Sequence, residues 1–261
     1  MAPNSRPSTV TGYVALANAC LGAPPDPAGF DAPAEAAFAA KINRARAEEG
    51  LPPLQVRPAL LPAARFHSLD QIWNGTFGHS GADGRTQGDR ISALDRTLVR
   101  SFAAENVAWV SGDLDPAIVP DLLHNGLMES PGHRKNILAD QASHMAIGVA
   151  RVYDGWAVTQ LFVRQEGEMT APVPACRTKA DAQTIDARLA NWSPAKIDEV
   201  PDEPRAGVRG DPACPAAMRA ALRIEGRRPM PGGGYQVIML AGPSVDTGRA
   251  AMAVPGPADA P

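Results

Sequence analysis

The 261-residue chain is poor in the features that usually declare a function outright. It has three cysteines, none in a CxxC pair and none beside a histidine, so zinc-finger and redox motifs read weakly. It has no run of 18 or more apolar residues, hence no segment that reads as a membrane-spanning helix. Positive charge is not in excess: 25 Lys+Arg against 28 Asp+Glu gives −3, which argues against a nucleic-acid binder. HExxH is absent, which excludes a helix-borne zincin, and so is GxSxG, since Gly242-Pro243-Ser244-Val245-Asp246 lacks the second glycine. Hydrophobic residues at 44% and charged residues at 20% are ordinary globular usage, so wholesale disorder is excluded too.

What is present is unevenly placed. All five histidines fall between His67 and His144, and nine of the thirteen aromatics lie in residues 34–165. Only seven of 26 prolines share that window, and the remaining nineteen crowd the flanks. Proline-rich ends are expected not to sustain long helices or central strands. Residues 1–33 therefore read as an irregular N-terminal arm, and residues 166–261 as a Pro-rich extension with an edge strand near Tyr235–Leu240 and a short helix at Ala216–Leu222. Cys176 and Cys214, each in a Pro/Ala stretch of that extension, are expected to form a disulfide worth roughly 4 kcal/mol through loop closure. The competing reading is two buried free thiols. Cys20 is then odd, either free, paired between chains or lipid-modified. The run Leu16–Cys20 is faintly like a lipoprotein processing site, but the residues before it are too short and polar for a signal peptide. The chain reads as a mature form whose signal has been removed, with secretion inferred.

Between the flanks the periodicities are clearer. Ala34, Phe38, Ile42 and Ala45 stripe a helix over 34–50 that Gly50 and Pro52-Pro53 stop. Leu61, Ala64, Ser68 and Ile72 line a second helix over 58–74, ended by Asn74-Gly75. Residues 76–90 read as a glycine-rich loop, 116–128 as a third helix, and 145–152 with 156–163 as a hairpin.

The candidate chemistry sits on the connections. His79 lies in a glycine-flanked loop beside Ser80. Glu105 is a carboxylate in an apolar segment, costly to bury unless a donor or a metal pairs with it. His133 follows Ser130-Pro131-Gly132 and reads as an imidazole presented by a tight turn. Two imidazoles and a carboxylate suit a divalent-metal site such as zinc with an open position, an acid/base pair, or a hydrogen-bonded cluster that ties loops to a sheet. Spacing alone does not choose. His67 reads as a core-edge histidine and possible cleft neighbour, His124 and His144 as surface or packing residues, and Asp83 and Asp89 as turn caps, since their spacing is not that of an EF-hand. Serine hydrolysis by Ser80 or Ser130 ranks low without an elbow motif.

Read in order, the motifs form a recognisable series: Ile42-Asn43 with Arg46, then Gly50-Leu51-Pro52-Pro53-Leu54, then Phe77-Gly78-His79-Ser80 with Asp83-Gly84-Arg85 and Asp89-Arg90. Ala104-Glu105-Asn106-Val107-Ala108 follows, then Ser130-Pro131-Gly132-His133-Arg134 with Asn136-Ile137-Leu138, Ile147-Gly148-Val149 and Thr159-Gln160-Leu161-Phe162. Over about residues 34–165 this resembles the bacterial branch of the CAP superfamily, the SCP or cysteine-rich secretory protein, antigen 5 and pathogenesis-related 1 family. The resemblance implies an α+β fold, an α-β-α sandwich with a central antiparallel sheet, in a secreted or periplasmic protein. It also implies a cleft of histidines and glutamates that binds a divalent metal in some members. By motif, His79 matches the histidine after the second helix, Glu105 the glutamate of the family's GEN motif with Ala104 for the glycine, and His133 the SPGHR histidine.

Two positions depart from the eukaryotic pattern. Leu127 stands at the tryptophan of the WxxE-type motif, with Glu129 one place off its glutamate. Ala157-Val158 precede Thr159-Gln160 where a histidine would complete HYTQ. Asn106, Arg134 and Asn136 read as structural hydrogen-bonders. Two functions follow as expectations: a secreted binding module for a lipid, sterol or cell-wall ligand, or a metal-assisted hydrolase of a peptide or ester. The hydrolase would use His79 and His133 as ligands, Glu105 as base and Ser80 as orienting donor.

Overall fold

Asp31 begins the first long helix of the body. Its carboxylate accepts from the backbone N–H of Ala34 at 2.8 Å, satisfying a donor that has no intrahelical partner, and Pro33 falls in the first turn where its missing N–H costs nothing. In the computed structural model, which describes residues 7–24, 29–112, 114–152, 155–177, 185–201, 214, 218–247 and 253–254, this helix, α2, spans Ala32–Glu48, and Gly50 turns out of it at φ 71°. Helix α3 spans Leu61–Asn74 after a 3-10 turn at Pro58–Leu60 and ends on Gly75 at φ 60°. Both helices lie where the apolar stripes place them.

The chain forms two compact units interleaved along the sequence. The first takes Ala17–Arg90 and Phe102–Arg164, the second Pro7–Leu16, Ile91–Ser101 and Gln165–Pro261. In the first unit, strands β1 (Gly29–Phe30), β4 (His144–Val152), β5 (Gly155–Met169) and β3 (Leu98–Ser111) lie in the order β1-β4-β5-β3. β4 and β5 pair antiparallel from His144↔Val163 to Val152↔Gly155, as the hairpin signal requires, and β2 (Gln55–Val56) adds a short parallel pair to β4. Residues 153–154 of the expected turn lie outside the described residues.

Helices cover both faces of this sheet. On one face Gly148 is necessary: a Cβ there would meet the backbone of Ala64 and Arg65 at 2.3 Å, so only glycine lets α3 lie against β4. Ser68 Oγ on α3 bonds the Gly148 carbonyl and the Thr159 hydroxyl. On the other face Met145, Ile147, Val149, Trp156, Val158 and Phe162 pack with Phe38 and Ile42 of α2 and with Val119, Leu123 and Leu127 of α5 (Val119–Glu129). Each large buried side chain there contributes about 1.5–3 kcal/mol. Arg46 closes the layer from within: it is fully buried and donates to the carbonyls of Pro52, Ile137 and Ala139. Asn43 exchanges two hydrogen bonds with Leu54. The result is the α+β class with helices on both faces of a mainly antiparallel sheet.

The second unit differs from its sequence reading. Residues expected to be an irregular arm hold helix α1 (Val10–Gly22), and within the unit Asp246 caps its first turn by accepting from the N–H groups of Val10 and Thr11 and from the Thr11 hydroxyl. The Pro-rich extension is built of long strands: β8 (Ser193–Pro201), β9 (Met218–Pro229) and β10 (Tyr235–Thr247) pair antiparallel in sequence. Prolines are tolerated because of where they fall. Pro194 and Pro243 sit at register shifts, and Pro201 and Pro229 at strand ends.

Over Tyr235–Leu240, β10 pairs with β9 along one side, as the expected edge strand, and it continues inward past that stretch, where Ala241 pairs with Arg100 of β3 and Asp246–Thr247 with β6 (Cys176–Arg177). Ala216–Leu222 is no helix: residues 216–217 lie outside the described residues, and from Met218 the chain is strand β9. Strand β7 (Ala187–Leu189) pairs with Gly167–Met169 of β5. Val99, Met169, Leu222, Ile224, Leu240 and Val245 belong to this unit's core. Cys176 and Cys214 form the expected disulfide across 38 residues, and Cys20 is buried and not part of it.

Candidate functional site

Three stretches of the first unit build the site: the end of α3, the loop after it, and β3. His67 lies on the sheet-facing side of α3 with no exposure; its Nε2 is 3.0 Å from the carbonyl of Gly78 and 3.8 Å from Glu105 Oε1. The Gly78 N–H donates to Gln71 Oε1, so two side chains of one helix clamp both polar groups of that glycine. The rest of the loop is held by its own turns. Asp70 Oδ2 accepts from Ala82 N–H, Gly81 N–H donates to the Arg85 carbonyl, Gly84 N–H donates to the Gly81 carbonyl, and Gly84 takes φ 78°. Asp83 and Asp89 cap the turns, Asp83 accepting from Arg85 N–H and Asp89 from Thr86.

So fixed, the loop lays His79 on Glu105. His79 Nδ1 is 3.1 Å from Glu105 Oε1, and the opposite carboxylate oxygen accepts from Arg90 Nη2 at 2.5 Å. Arg90, in the first turn of α4 (Gln87–Leu94), also donates from Nη1 to the carbonyls of His79 and Arg85. Glu105 and Arg90 are buried, while the His79 side chain is 58% exposed. With Nδ1 committed to the carboxylate, the ring offers Nε2 outward.

On the next residue of β3 the side chain points to the other face. Asn106 Nδ2 donates to the His133 carbonyl and to Gln160 Oε1, and Asn136 Nδ2 donates to the Glu105 carbonyl and to Asn106 Oδ1. These bonds fasten α6 (Pro131–Ile137) to β3. His133 is therefore in the first turn of a short helix rather than the tight turn expected, because Ser130 leaves α5 in extended backbone and Pro131 starts a new helix. Asn136 acts as a bridge to β3, and Arg134 pairs with Glu49.

The electrostatics follow from burial and pairing. Burial alone would raise the Glu105 carboxyl; the His79 hydrogen bond and the charge and hydrogen bond of Arg90 outweigh it and hold the group below the usual carboxylate range. The same hydrogen bond raises His79. Burial drives His67 down to about 4, with Arg90 adding to the effect, so its ring is neutral at pH 7. Burial, then the charge of His79, lowers His133. The cluster is thus a carboxylate neutralised by a guanidinium, steadying one imidazole at the surface.

Of the three candidates, His79 and Glu105 are in contact, and His133 is joined to them through Asn106 and Asn136. Arg90 carried no site role in the sequence reading, and His67 only that of a possible cleft neighbour. Arg90 was legible in principle, since a buried carboxylate demands a donor and arginine is the residue best able to supply two bonds. His67 gave no such signal, because a histidine on an apolar helix face looks alike whether it packs or participates. His124 is buried on α5, where burial and then Lys41 lower it, and His144 opens β4. Glu129 is exposed and Leu127 is in the core. Among the described residues, no three His, Cys, Asp or Glu side chains gather as a metal-ligand set.

Beside the cluster, Phe77 stacks on Trp109 with ring centroids 4.4 Å apart and planes at 21°. Phe77 is 43% and Trp109 51% exposed. Trp109 is four residues beyond Glu105 on the same face of β3, about 13 Å along the strand.

Residues 39–163 match the model of the cysteine-rich secretory protein family, CAP. The uncharacterised protein YkwD of Bacillus subtilis is 33% identical over 121 residues, 46% of this chain and 43% of its own length, so the chain spans less than half of that relative. Among solved structures, an extracellular SCP-domain protein of Bacillus anthracis aligns at 30% identity over 51% of this chain and 41% of that one, with a TM-score of 0.43. An outer surface protein of Borrelia burgdorferi aligns at 16% identity over 52% of this chain and 98% of that one, with a TM-score of 0.44. Over residues 39–163, just under half of its length, this chain matches the CAP family model and is similar to a bacterial protein, YkwD.

Proposed function

We propose that the chain is a secreted binding module whose ligand, a lipid, sterol or cell-wall component, engages the cleft at His79. The observation that carries this reading is the pairing of Glu105 with Arg90 at 2.5 Å. A carboxylate that is buried, ion-paired and already bonded to His79 is a poor proton acceptor, and its pKa lies on the wrong side of neutrality for a general base. It is well suited to fixing one imidazole as a ligand contact. The disulfide in the second unit supports an oxidising compartment, and hence secretion or a periplasmic location.

A metal-assisted hydrolase is the second reading, and one observation favours it. The Glu105 contact leaves His79 Nε2 free to face outward, and His133 lies close enough to feel the charge of His79. Those two imidazoles would hold a divalent ion such as zinc, with Glu105 orienting the first, and the ion would polarise a peptide or ester carbonyl.

Retention of the purified chain on isolated bacterial cell walls and on lipid vesicles tests the first reading. One surface should retain the wild type, and His79→Ala should weaken that retention about tenfold. Equal retention of His79→Ala on every surface that binds the wild type overturns it. Metal content of protein purified without chelators, with and without His79→Ala and His133→Ala, tests the second.

A further inference from the structure

The binding reading leaves the aromatic pair beside the cluster unused. Among the described residues of the first unit, Phe77 and Trp109 are the exposed large aromatics, and they stack on each other. Phe77 is carried by the loop that His67 and Gln71 clamp at Gly78, and Trp109 by β3 itself. The two rings stack face to face, each about half exposed, so the pair is rigid and presents an outer ring face at little entropic cost, unlike the flexible groove that an acyl chain would need. The loop that bears it, Gly75–Ala82, has no lysine or arginine, and the chain is net negative, which disfavours an anionic membrane surface. Small and polar residues, Thr76, Gly78, Ser80 and Gly81, flank Phe77 along the loop. An exposed aromatic face on a loop of hydrogen-bonding groups is complementary to a pyranose ring, whose C–H faces are apolar and whose hydroxyls point outward at the edge.

We propose that Phe77 and Trp109 are a stacking subsite for a sugar ring of a glycan chain whose next units extend along β3 to His79 Nε2. This rests on the reading of the His79 cleft as a binding site and narrows its ligand to a polysaccharide. A ligand spanning about 13 Å of strand holds more than one ring, so affinity should rise with oligosaccharide length.

The test is titration of the full chain with N-acetylglucosamine oligomers of one to four units, followed through the tryptophan indole N–H signals, together with retention on isolated cell walls. The Trp109 signal should move saturably with the tetramer while those of buried Trp156 and of Trp192 stay. Trp109→Ala and Phe77→Ala should each weaken binding about tenfold, with Trp109→Phe retaining most of it. Circular dichroism of each variant checks that it folds. Absence of saturable binding in the wild type overturns the proposal, as does unchanged binding in folded Trp109→Ala and Phe77→Ala. Trp109-dependent association with phosphatidylglycerol vesicles without glycan binding also overturns it and makes the pair a membrane contact. If His79→Ala loses cell-wall retention and Trp109→Ala does not, the platform falls while the cleft reading stands. If neither substitution matters, both fall.

Discussion

The Nε2 of His67 bonds the carbonyl of Gly78 at 3.0 Å, so a ring with no solvent exposure positions the loop that presents His79. The burial of that ring, which outweighs the bond to Gly78, has a pH signature. The folded state holds His67 near 4, well below its ordinary value, so the unfolded chain takes up a proton first as pH falls. Stability should decline as pH drops from about 6.5 towards 4, by on the order of 3 kcal/mol from this residue. Urea titrations at pH 7, 5.5 and 4.5 check this, and His67→Gln should flatten the decline in that window.

His79 acts in the opposite window. Its folded pKa is raised by the Glu105 hydrogen bond, so its contribution is complete below the unfolded value and is lost as pH rises through the folded one. Glu105→Gln removes the cause. The His79 midpoint, followed by its ring proton signals, should fall in that variant.

The same substitution leaves the buried Arg90 without its anion. Breaking a buried pair from one side costs about 3–5 kcal/mol, because the remaining charge stays uncompensated. Chemical denaturation of Glu105→Gln should show a loss of that size. A loss below about 1 kcal/mol would mean water reaches the guanidinium.

Gly148→Ala should be among the most damaging single methyl additions in the first unit. The added carbon would meet the backbone of Ala64 and Arg65, which no rotamer change can move aside. The expected cost is at the upper end of the about 1–3 kcal/mol of ordinary overpacking, read as a lowered urea midpoint.

Replacing Cys176 and Cys214 together by alanine should destabilise the second unit by about 2–5 kcal/mol. Hydrogen exchange in β10, which pairs with β6 next to Cys176, reports it residue by residue.

The legible parts of this molecule are those whose periodicity is undisturbed. Phe38 and Ile42 marked α2, Ala64 and Ser68 marked α3, and the alternation from Met145 to Val163 marked the β4/β5 hairpin. β3 was hidden because Ala103-Ala104-Glu105-Asn106 interrupts any alternation with a carboxylate and an amide that are both buried, a choice set by the site. The first half of β10 was read as a strand at Tyr235–Leu240, while β9 and the rest of β10 were obscured by Gly226, Arg227, Arg228 and Pro243, residues that suit a twisted, bulged strand pair yet read singly as loop. His79 and Glu105 were visible as polar residues where the local pattern had no use for them. Their partner Arg90 became visible only when the fold placed them together, and His67 went from possible cleft neighbour to participant at the same step.

The cap that Asp246 puts on α1 joins residues about 235 positions apart within one unit. A contact of that span cannot form during most of the chain's synthesis, and its loop-closure cost is met late. Val10 and Thr11 must wait for almost the last strand before their amides are satisfied. Trimming a dozen residues from the N-terminus, or cutting before Asp246, should therefore undo the same cap, and the second unit should reach its final form only when both ends of the chain are present.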